Sequence, residues 1–351
     1  MTSKADTGMT TEPAERGLTR RRLLRDAGIG ATALAVSPGV AAAAAPDARA
    51  GVSERQVAEL ERRLRSRYAS NNGVRLHYEI AGKGQLVLFV HGFPGWWWTW
   101  RHPMAALVGE HTVAAMDLRG YNLSDKPAGP DRYRIADLVA DVRAVIAHTG
   151  HRRATVVGHD WGGAISWALA ITAPAVVERL VILNIPHPSA LARELHDNPR
   201  QQQASGYAQA FRRPGAAGMP LPPQFGGGTL TPELVAALLA RPGSQEYPRH
   251  LAAMRRTSLQ AALNYYAANY PAQPYAAPGP ALPKIKAPTL VIYGREDPFV
   301  LVDGLDGTWN YVERPVQIDV IPGAGHFVQD DARATFIATL EEWLARTPVR
   351  R

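Results

Sequence analysis

Asp160 stands in Val156-Val157-Gly158-His159-Asp160-Trp161-Gly162-Gly163, an apolar stretch that ends in a glycine-flanked turn and opens a helical pattern. The spacing G-x-Nu-x-G puts a nucleophile at the tip of a sharp strand-to-helix turn, here with Asp where Ser is usual. The neighbours of a residue strained in this way must lack side chains, and a helix N-terminus favours an anion. Taken alone, G-x-D-x-G also fits a plain loop with an N-capping Asp. Two further segments weigh against that bland alternative. Val291-Ile292-Tyr293-Gly294-Arg295-Glu296-Asp297-Pro298 sets an acid just past an apolar run. Pro322-Gly323-Ala324-Gly325-His326-Phe327 sets a His in a glycine-rich loop past the last such run. In chain order Asp160, Asp297 and His326 read as nucleophile, acid and base, a set suited to nucleophilic catalysis with base-activated water. Glu296 competes with Asp297 as the acid. The residue before a proline is pushed to extended geometry, which suits a strand-end acid facing its His and favours Asp297.

Three such residues must be delivered by rigid elements. Leu86–Val90 is a continuous apolar run, as expected of a strand buried on both faces, and similar runs recur at Thr112–Met116, Ala154–Val157, Leu180–Leu183 and Thr289–Ile292, with a last buried strand expected near Val316–Ile321. Gly73–Tyr78 alternates like a half-exposed strand. Helical patterns intervene at Ile135–His148 and Ala164–Ala173. Strand and helix in alternation predict an α/β fold with a mostly parallel, doubly wound sheet and helices on both faces. The alternation stops between about Pro186 and Pro283, where helical stretches are broken by glycine- and proline-rich segments such as Pro214–Gly228. This predicts a helical cap inserted between two halves of one sheet. Ser53 and Gln56 have capping-box spacing and predict a short helix packed by Val57, Leu60 and Leu64. The expected organisation is a signal segment (1–45), a leader helix (46–68), a core in two parts (69–186 and 283–351) and the cap (187–282).

With these residues in place, the chain resembles an epoxide hydrolase of the α/β-hydrolase fold from about Arg67 onward. His91-Gly92-Phe93-Pro94 resembles the oxyanion-hole loop of that fold. The resemblance implies that the backbone N–H groups of Phe93 and Trp161 converge beside Asp160, with Trp161 and Pro94 at the substrate pocket. A cis bond is cheap at Phe93–Pro94, as it is only before proline. Asp117-Leu118-Arg119-Gly120-Tyr121-Asn122-Leu123-Ser124-Asp125 is similar to the family's structural loop, with Asn122 in place of a glycine; Asn tolerates the left-handed backbone needed there. The family places two tyrosines in the cap, facing the nucleophile. The first, seven residues before Pro-Gly, matches Tyr207 ahead of Pro214-Gly215. The second matches Tyr266 in Leu263-Asn264-Tyr265-Tyr266-Ala267, where Tyr and Ala replace the family's Trp and Arg. Leu183-Asn184-Ile185-Pro186-His187-Pro188 resembles the family's lead into the cap. Packing alone is the bland alternative for both tyrosines.

The resemblance implies a two-step reaction with no metal or organic cofactor. Asp160 attacks an epoxide carbon and forms an alkyl ester while Tyr207 and Tyr266 donate to the departing oxygen. His326, oriented by Asp297, then deprotonates a water that attacks the ester carbonyl, and a diol leaves. Trp96, Trp97 and Trp98 follow the oxyanion loop and either wall the pocket or fill core. Two alternatives stand beside this. A haloalkane dehalogenase uses the same triad, with the N–H of Trp161 on halide and no need of paired tyrosines. An exported binding protein keeps the fold without the reaction.

At the scale of the chain, 351 residues with 46% hydrophobic and 20% charged side chains exclude wholesale disorder, collagen and coiled coil. The absence of cysteine excludes disulfide scaffolds, cysteine-ligated zinc, iron–sulfur clusters, thiol catalysis and a lipoprotein anchor. The net charge of +8 comes from scattered Arg rather than a clustered face, so the expectation is no nucleic-acid partner. Thr19-Arg20-Arg21-Arg22-Leu23-Leu24-Arg25 resembles a twin-arginine export signal. The apolar stretch from Ala27 to Val36 is too short to span a bilayer, and the small residues Ala41 to Ala45 suit cleavage. This implies the twin-arginine export machinery as a partner, a periplasmic or extracellular location and no stable membrane anchor. A basic tail that is never exported is the alternative.

Overall fold

In the computed structural model, residues 51–221 and 228–347 are described; the expected export signal lies outside the described residues. Eight strands form one sheet: β1 (Arg65–Asn71), β2 (Val74–Ala81), β3 (Leu86–Val90), β4 (Thr112–Met116), β5 (Ala154–His159), β6 (Val177–Leu183), β7 (Thr289–Gly294) and β8 (Val316–Ile321). Their spatial order is β1-β2-β4-β3-β5-β6-β7-β8. β1 with β2 and β2 with β4 pair antiparallel, and every later pair is parallel. Successive side chains of a strand face opposite ways. In β3, Leu86, Leu88 and Val90 therefore enter one core while Val87 and Phe89 enter the other. A strand buried on both faces must be apolar at every position, which is why Leu86–Val90 reads as an unbroken run.

Helices cover both faces. On one side lie α1 (Glu54–Arg63), α2 (Arg101–Leu107) and, from the C-terminal end, α11 (Val328–Asp331) and α12 (Arg333–Arg346). Phe336, Leu340, Trp343 and Leu344 of α12 recur on one helical face and join Val57 and Leu60 of α1 in that core. Ser53 caps α1: Gln56 N–H donates to Ser53 Oγ and Ser53 N–H donates to Gln56 Oε1. On the other side lie α3 (Ile135–His148) and α4 (Trp161–Thr172). Between β6 and β7 the chain forms α5 (Pro188–Asp197), α6 (Pro199–Ala204), α7 (Gly206–Phe211), α8 (Pro232–Leu239), α9 (Tyr247–Arg256) and α10 (Leu259–Asn269). Apolar residues of α7 to α10, among them Phe211, Val235, Met254 and Tyr265, continue the same core as α3 and α4.

Two elements differ from the sequence expectation. β1 was not anticipated and runs across the boundary drawn at residue 68. It is an edge strand of polar side chains in which Ala69 alone is buried, so it carries no apolar run. β8 occupies its expected span but closes the opposite edge and is only half-buried, unlike the central strands it resembled.

Candidate active site

β5 delivers Asp160. Gly158 and Gly162 make its turn possible: a Cβ on Gly158 would collide with the carbonyl of Gly162, and one on Gly162 with that of Val90. Asp160 itself takes φ of +51°, a strained value for a residue with a side chain. Its carboxylate is buried and its two oxygens meet different partners. Oδ1 accepts the Phe93 N–H at 2.8 Å, and the Trp161 N–H also reaches the carboxylate. Oδ2 lies 3.5 Å from Nε2 of His326.

β7 and β8 deliver the acid and the base. His326 Nδ1–H donates to Asp297 Oδ2 at 2.7 Å. Asp297 Oδ1 accepts the N–H groups of Phe299 (2.9 Å) and Val300 (3.1 Å), and Oδ2 also accepts Asn184 Nδ2–H (2.8 Å). Glu296, the competing acid, is exposed. Beneath the base, His159 donates from Nε2 to the carbonyl of His326 at 2.8 Å. Burial opposes a charge on His326, but Asp297 and Asp160 outweigh it and raise its pKa to about 10. Burial likewise opposes the Asp160 carboxylate; the bond and charge of His326 outweigh it and hold the group below its ordinary value. At rest the site is thus an imidazolium between two carboxylates.

The loop that carries Phe93 is anchored from β4. His91 donates from Nδ1 to Gly92 O and accepts the Leu118 N–H at Nε2 (3.0 Å). Trp97 N–H donates to Asp117 Oδ1 at 3.0 Å. Asp117 Oδ2 in turn accepts His77 Nδ1–H (2.7 Å) and Asn122 Nδ2–H (2.8 Å). Asn122 sits at φ of +36°, so it serves the turn where the family has glycine. The Phe93–Pro94 bond is cis and Pro94 is buried within the loop. Trp96 and Trp98 are core. Trp96 Nε1–H donates to His250 Nδ1 (3.1 Å) in α9, and Trp98 Nε1–H donates to Glu61 (2.8 Å) in α1. Trp97 is half-buried and packs on Trp96.

α7 and α10 bring Tyr207 and Tyr266 together, with ring centroids 6.1 Å apart and their hydroxyls hydrogen-bonded. Tyr266 stands edge-on to Trp161 (5.0 Å) and near Phe93 (6.2 Å) and Phe211 (5.3 Å). The Trp161 side chain also hydrogen-bonds Tyr266. Tyr207 packs on Phe299 (5.4 Å), whose ring meets that of His326 (5.3 Å). Burial, with the negative charge of Asp160 added, pushes both phenols well above their ordinary value, so both are neutral donors. Among the described residues no group of three or more His, Asp or Glu side chains is placed to hold a metal.

All seven polar or backbone groups expected at the site therefore meet in one place, at the ends of β3, β5, β7 and β8 and under α7 and α10. The sequence reading gave no role to Asn184, Asp117 or His159. Asn184 and Asp117 follow strand ends, and only contacts far along the chain reveal what they hold.

The family model of the alpha/beta hydrolase fold matches residues 85–332. The chain is 30% identical to epoxide hydrolase 4 of Mus musculus over 275 residues, covering 74% of each protein. Among solved structures it is similar to the Bacillus megaterium epoxide hydrolase in complex with an inhibitor, at 30% identity and a TM-score of 0.71 over 80% of this chain and all of that one. It is also similar to an epoxide hydrolase from Vigna radiata, at 25% identity and a TM-score of 0.65 over 81% and 98%. On its fold and these likenesses, the chain belongs to the α/β-hydrolase-fold family of epoxide hydrolases.

Proposed function

We propose that the chain hydrolyses an epoxide to a vicinal diol through an ester on Asp160. The observation that carries this reading is the pair of neutral, hydrogen-bonded phenols, Tyr207 and Tyr266, packed with Trp161 beside the nucleophile. Asp160 Oδ2, the oxygen that faces His326 while Oδ1 accepts the Phe93 N–H, attacks the ring carbon. The carbon–oxygen bond breaks and the oxygen takes a proton from a tyrosine. The ester removes the charge of Asp160, so His326 loses one of the two carboxylates that hold its proton. That proton returns through solvent to the tyrosine and leaves His326 neutral.

His326 Nε2 then accepts a proton from water as the water oxygen adds to the ester carbonyl. The negative charge forms on Oδ1, which already accepts the Phe93 N–H, with the Trp161 N–H also at the carboxylate. Collapse breaks the ester bond. The second proton of the added water, left on the Asp160 carboxyl, passes to the departing alkoxide, so the diol leaves neutral and the Asp160 carboxylate and the imidazolium are restored. The aromatic lining of Phe93, Trp161, Phe211 and Phe299 suits an apolar substituent. A variant of the Bacillus megaterium enzyme was solved with a naphthyloxy-propanediol product. The dehalogenase alternative is less well supported, because the Trp161 side chain is already committed to Tyr266.

The test is His326→Gln. With styrene oxide the variant should form the ester and fail to release it, visible as enzyme plus substrate by intact-protein mass spectrometry. In oxygen-18 water a single turnover of the parent should release a diol whose new oxygen is unlabelled and came from Asp160. Labelled first-turnover diol means direct attack by water and rejects Asp160 as nucleophile.

We also propose export through the twin-arginine machinery, motivated by Arg20-Arg21 and the short apolar stretch that follows. Replacing both arginines by lysine should leave the precursor uncleaved inside the cell; unchanged export rejects the assignment.

A further inference from the structure

Asn184 takes no part in the cycle above, yet its amide bonds both Asp297 and the carbonyl of Gly325, the residue before His326. It follows β6, is fully buried and has φ of +49°, a left-handed backbone that Asn tolerates better than most residues. Its side-chain amide reaches two loops. Nδ2–H donates to Asp297 Oδ2 at 2.8 Å and to Gly325 O at 3.3 Å, and Oδ1 accepts the Gly294 N–H at 3.3 Å. The loop after β7 carries the acid and the loop after β8 carries the base, so one amide holds them together. Its backbone N–H donates to Ile292 O (3.2 Å), extending the pairing of β6 with β7 by one residue.

Asp297 Oδ2 accepts from Asn184 and His326 alike, while Oδ1 accepts two backbone N–H groups. A carboxylate has about four lone-pair sites, and here all are filled. We infer that Asn184 is a positioning residue that fixes Asp297 against His326 and tempers how firmly the acid holds the imidazole proton. Each donor to a carboxylate draws off negative charge. Without the amide, more charge faces Nδ1 and the carboxyl is freer to turn.

The other groups facing His326 leave this route open. Asp160 lies at Nε2. The His159 ring, 4.9 Å away, stays neutral, since burial lowers its pKa to about 4. Phe299 and Phe327 are uncharged. Tyr293 of β7 stays protonated through burial and donates to Val300 O. Asp331 accepts the Gly325 N–H at 3.0 Å, on the backbone side of the loop. Of the two carboxylates flanking the imidazole, Asn184 bonds only Asp297.

The inference rests on the ester cycle proposed above, in which His326 must shed its resting proton before it activates water. Removal of the amide should raise the pH at which it does so. Two variants test it. Asn184→Gly keeps the left-handed backbone and deletes the amide; Asn184→Asp keeps the size and replaces the donor by an acceptor. Single turnovers of styrene oxide, quenched for mass spectrometry between pH 6 and 10, give ester formation and decay separately. Proton–nitrogen NMR of the resting enzyme gives the His326 midpoint without any substrate.

Ester formation should stay near the parental rate. Decay at pH 7 should slow by about tenfold or more, and both the decay midpoint and the resting imidazole midpoint should rise by about one pH unit. If the Gly variant does not fold, the Asp variant decides. Unmoved midpoints, or equal losses in formation and decay, overturn the inference and leave Asn184 a turn residue. If the parent itself forms no ester, the reading of the site fails; the resting imidazole midpoint still decides Asn184.

Discussion

A phenol is a poor acid in water, and burial beside Asp160 makes Tyr207 and Tyr266 poorer still. They act as donors that are present at every working pH and give up a proton only to a strongly basic alkoxide. Phenylalanine keeps the ring contacts with Phe211, Phe299 and Trp161 and removes only the hydroxyl. The Tyr207→Phe/Tyr266→Phe double variant should lose about 10²–10⁴-fold in ester formation from styrene oxide, the range for one positioned acid or more. Each single variant should lose less, because the partner hydroxyl remains. Near-parental ring opening by a folded double variant would reduce both tyrosines to packing. The two neighbouring acids give a sharper contrast. Asp297→Asn keeps the shape and deletes the charge that orients and holds the His326 proton, so turnover should fall by about 10⁴-fold, as for the equivalent change in a Ser-His-Asp triad. Glu296 is exposed, and Glu296→Gln should leave turnover unchanged. Steady-state rates of the two variants side by side decide which residue is the acid; equal losses would mean that the loop, not the carboxylate, matters.

At the scale of elements, the Phe93 N–H is placed by a loop that has no regular structure of its own. It is fixed by what β4 offers: the Leu118 N–H to His91 and the Asp117 carboxylate to the Trp97 N–H. Asp117→Ala deletes that anchor and also strips His77 and Asn122 of a partner. Deleting an oxyanion donor outright costs about 10²–10³-fold. Loosening one should cost less, on the order of tenfold to a hundredfold, and in ester decay more than in ester formation, because the charge on Oδ1 builds in the second step. Equal slowing of both steps would mean that Asp117 only supports the fold. The same elements show what the sequence could reveal. β3, β4, β5 and β7 were legible because burial on both faces forces unbroken apolar runs. Asp160 and Asp297 were legible because each stands just past such a run, and His326 because it stands in a glycine-rich loop past the mixed segment of β8. β1 was hidden, since an edge strand with solvated side chains has no apolar signature. Asp117 and Asn184 were seen as parts of loops but not as anchors. Asn184 meets Asp297 across 113 residues and Trp96 meets His250 across 154, and no local pattern encodes such distances.

At the scale of the whole molecule, buried histidines set the pH range in which the fold survives. Burial holds His102, His159 and His187 at about 4 and His250 at about 3. Burial also lowers His91 and His111, and all six titrate near 6.5 once unfolded. As pH falls below 6.5 the unfolded chain therefore binds protons that the folded chain refuses, and stability drops until the folded pKa values are reached. The four lowest alone change stability by roughly 6 kcal/mol per pH unit at about 1.4 kcal/mol each, against a total stability of about 5–15 kcal/mol. That is enough to unfold the protein well before its carboxylates protonate. His77 and His326 work in the opposite sense. Burial opposes their charge, but Asp117 and Glu79 raise His77 to about 9, and Asp297 and Asp160 raise His326 to about 10. Their contribution is complete below 6.5 and fades as pH rises through those values. Stability should therefore peak between about pH 6.5 and 7.5 and fall on both sides, more steeply in acid, where six lowered histidines act against two raised ones. Urea unfolding from pH 4.5 to 10 measures this directly. His187 offers the cleanest check of the acid limb, because its ring stacks on Tyr311 at 4.1 Å and burial alone lowers its pKa. His187→Phe should keep the stack, lose the cap bond to the Ser189 N–H, and so cost some stability at pH 7. It should also shrink the acid-limb slope by about a sixth to a quarter. A slope unchanged by that substitution, or a flat profile between pH 5 and 6.5, would place the cause of acid unfolding in the carboxylates.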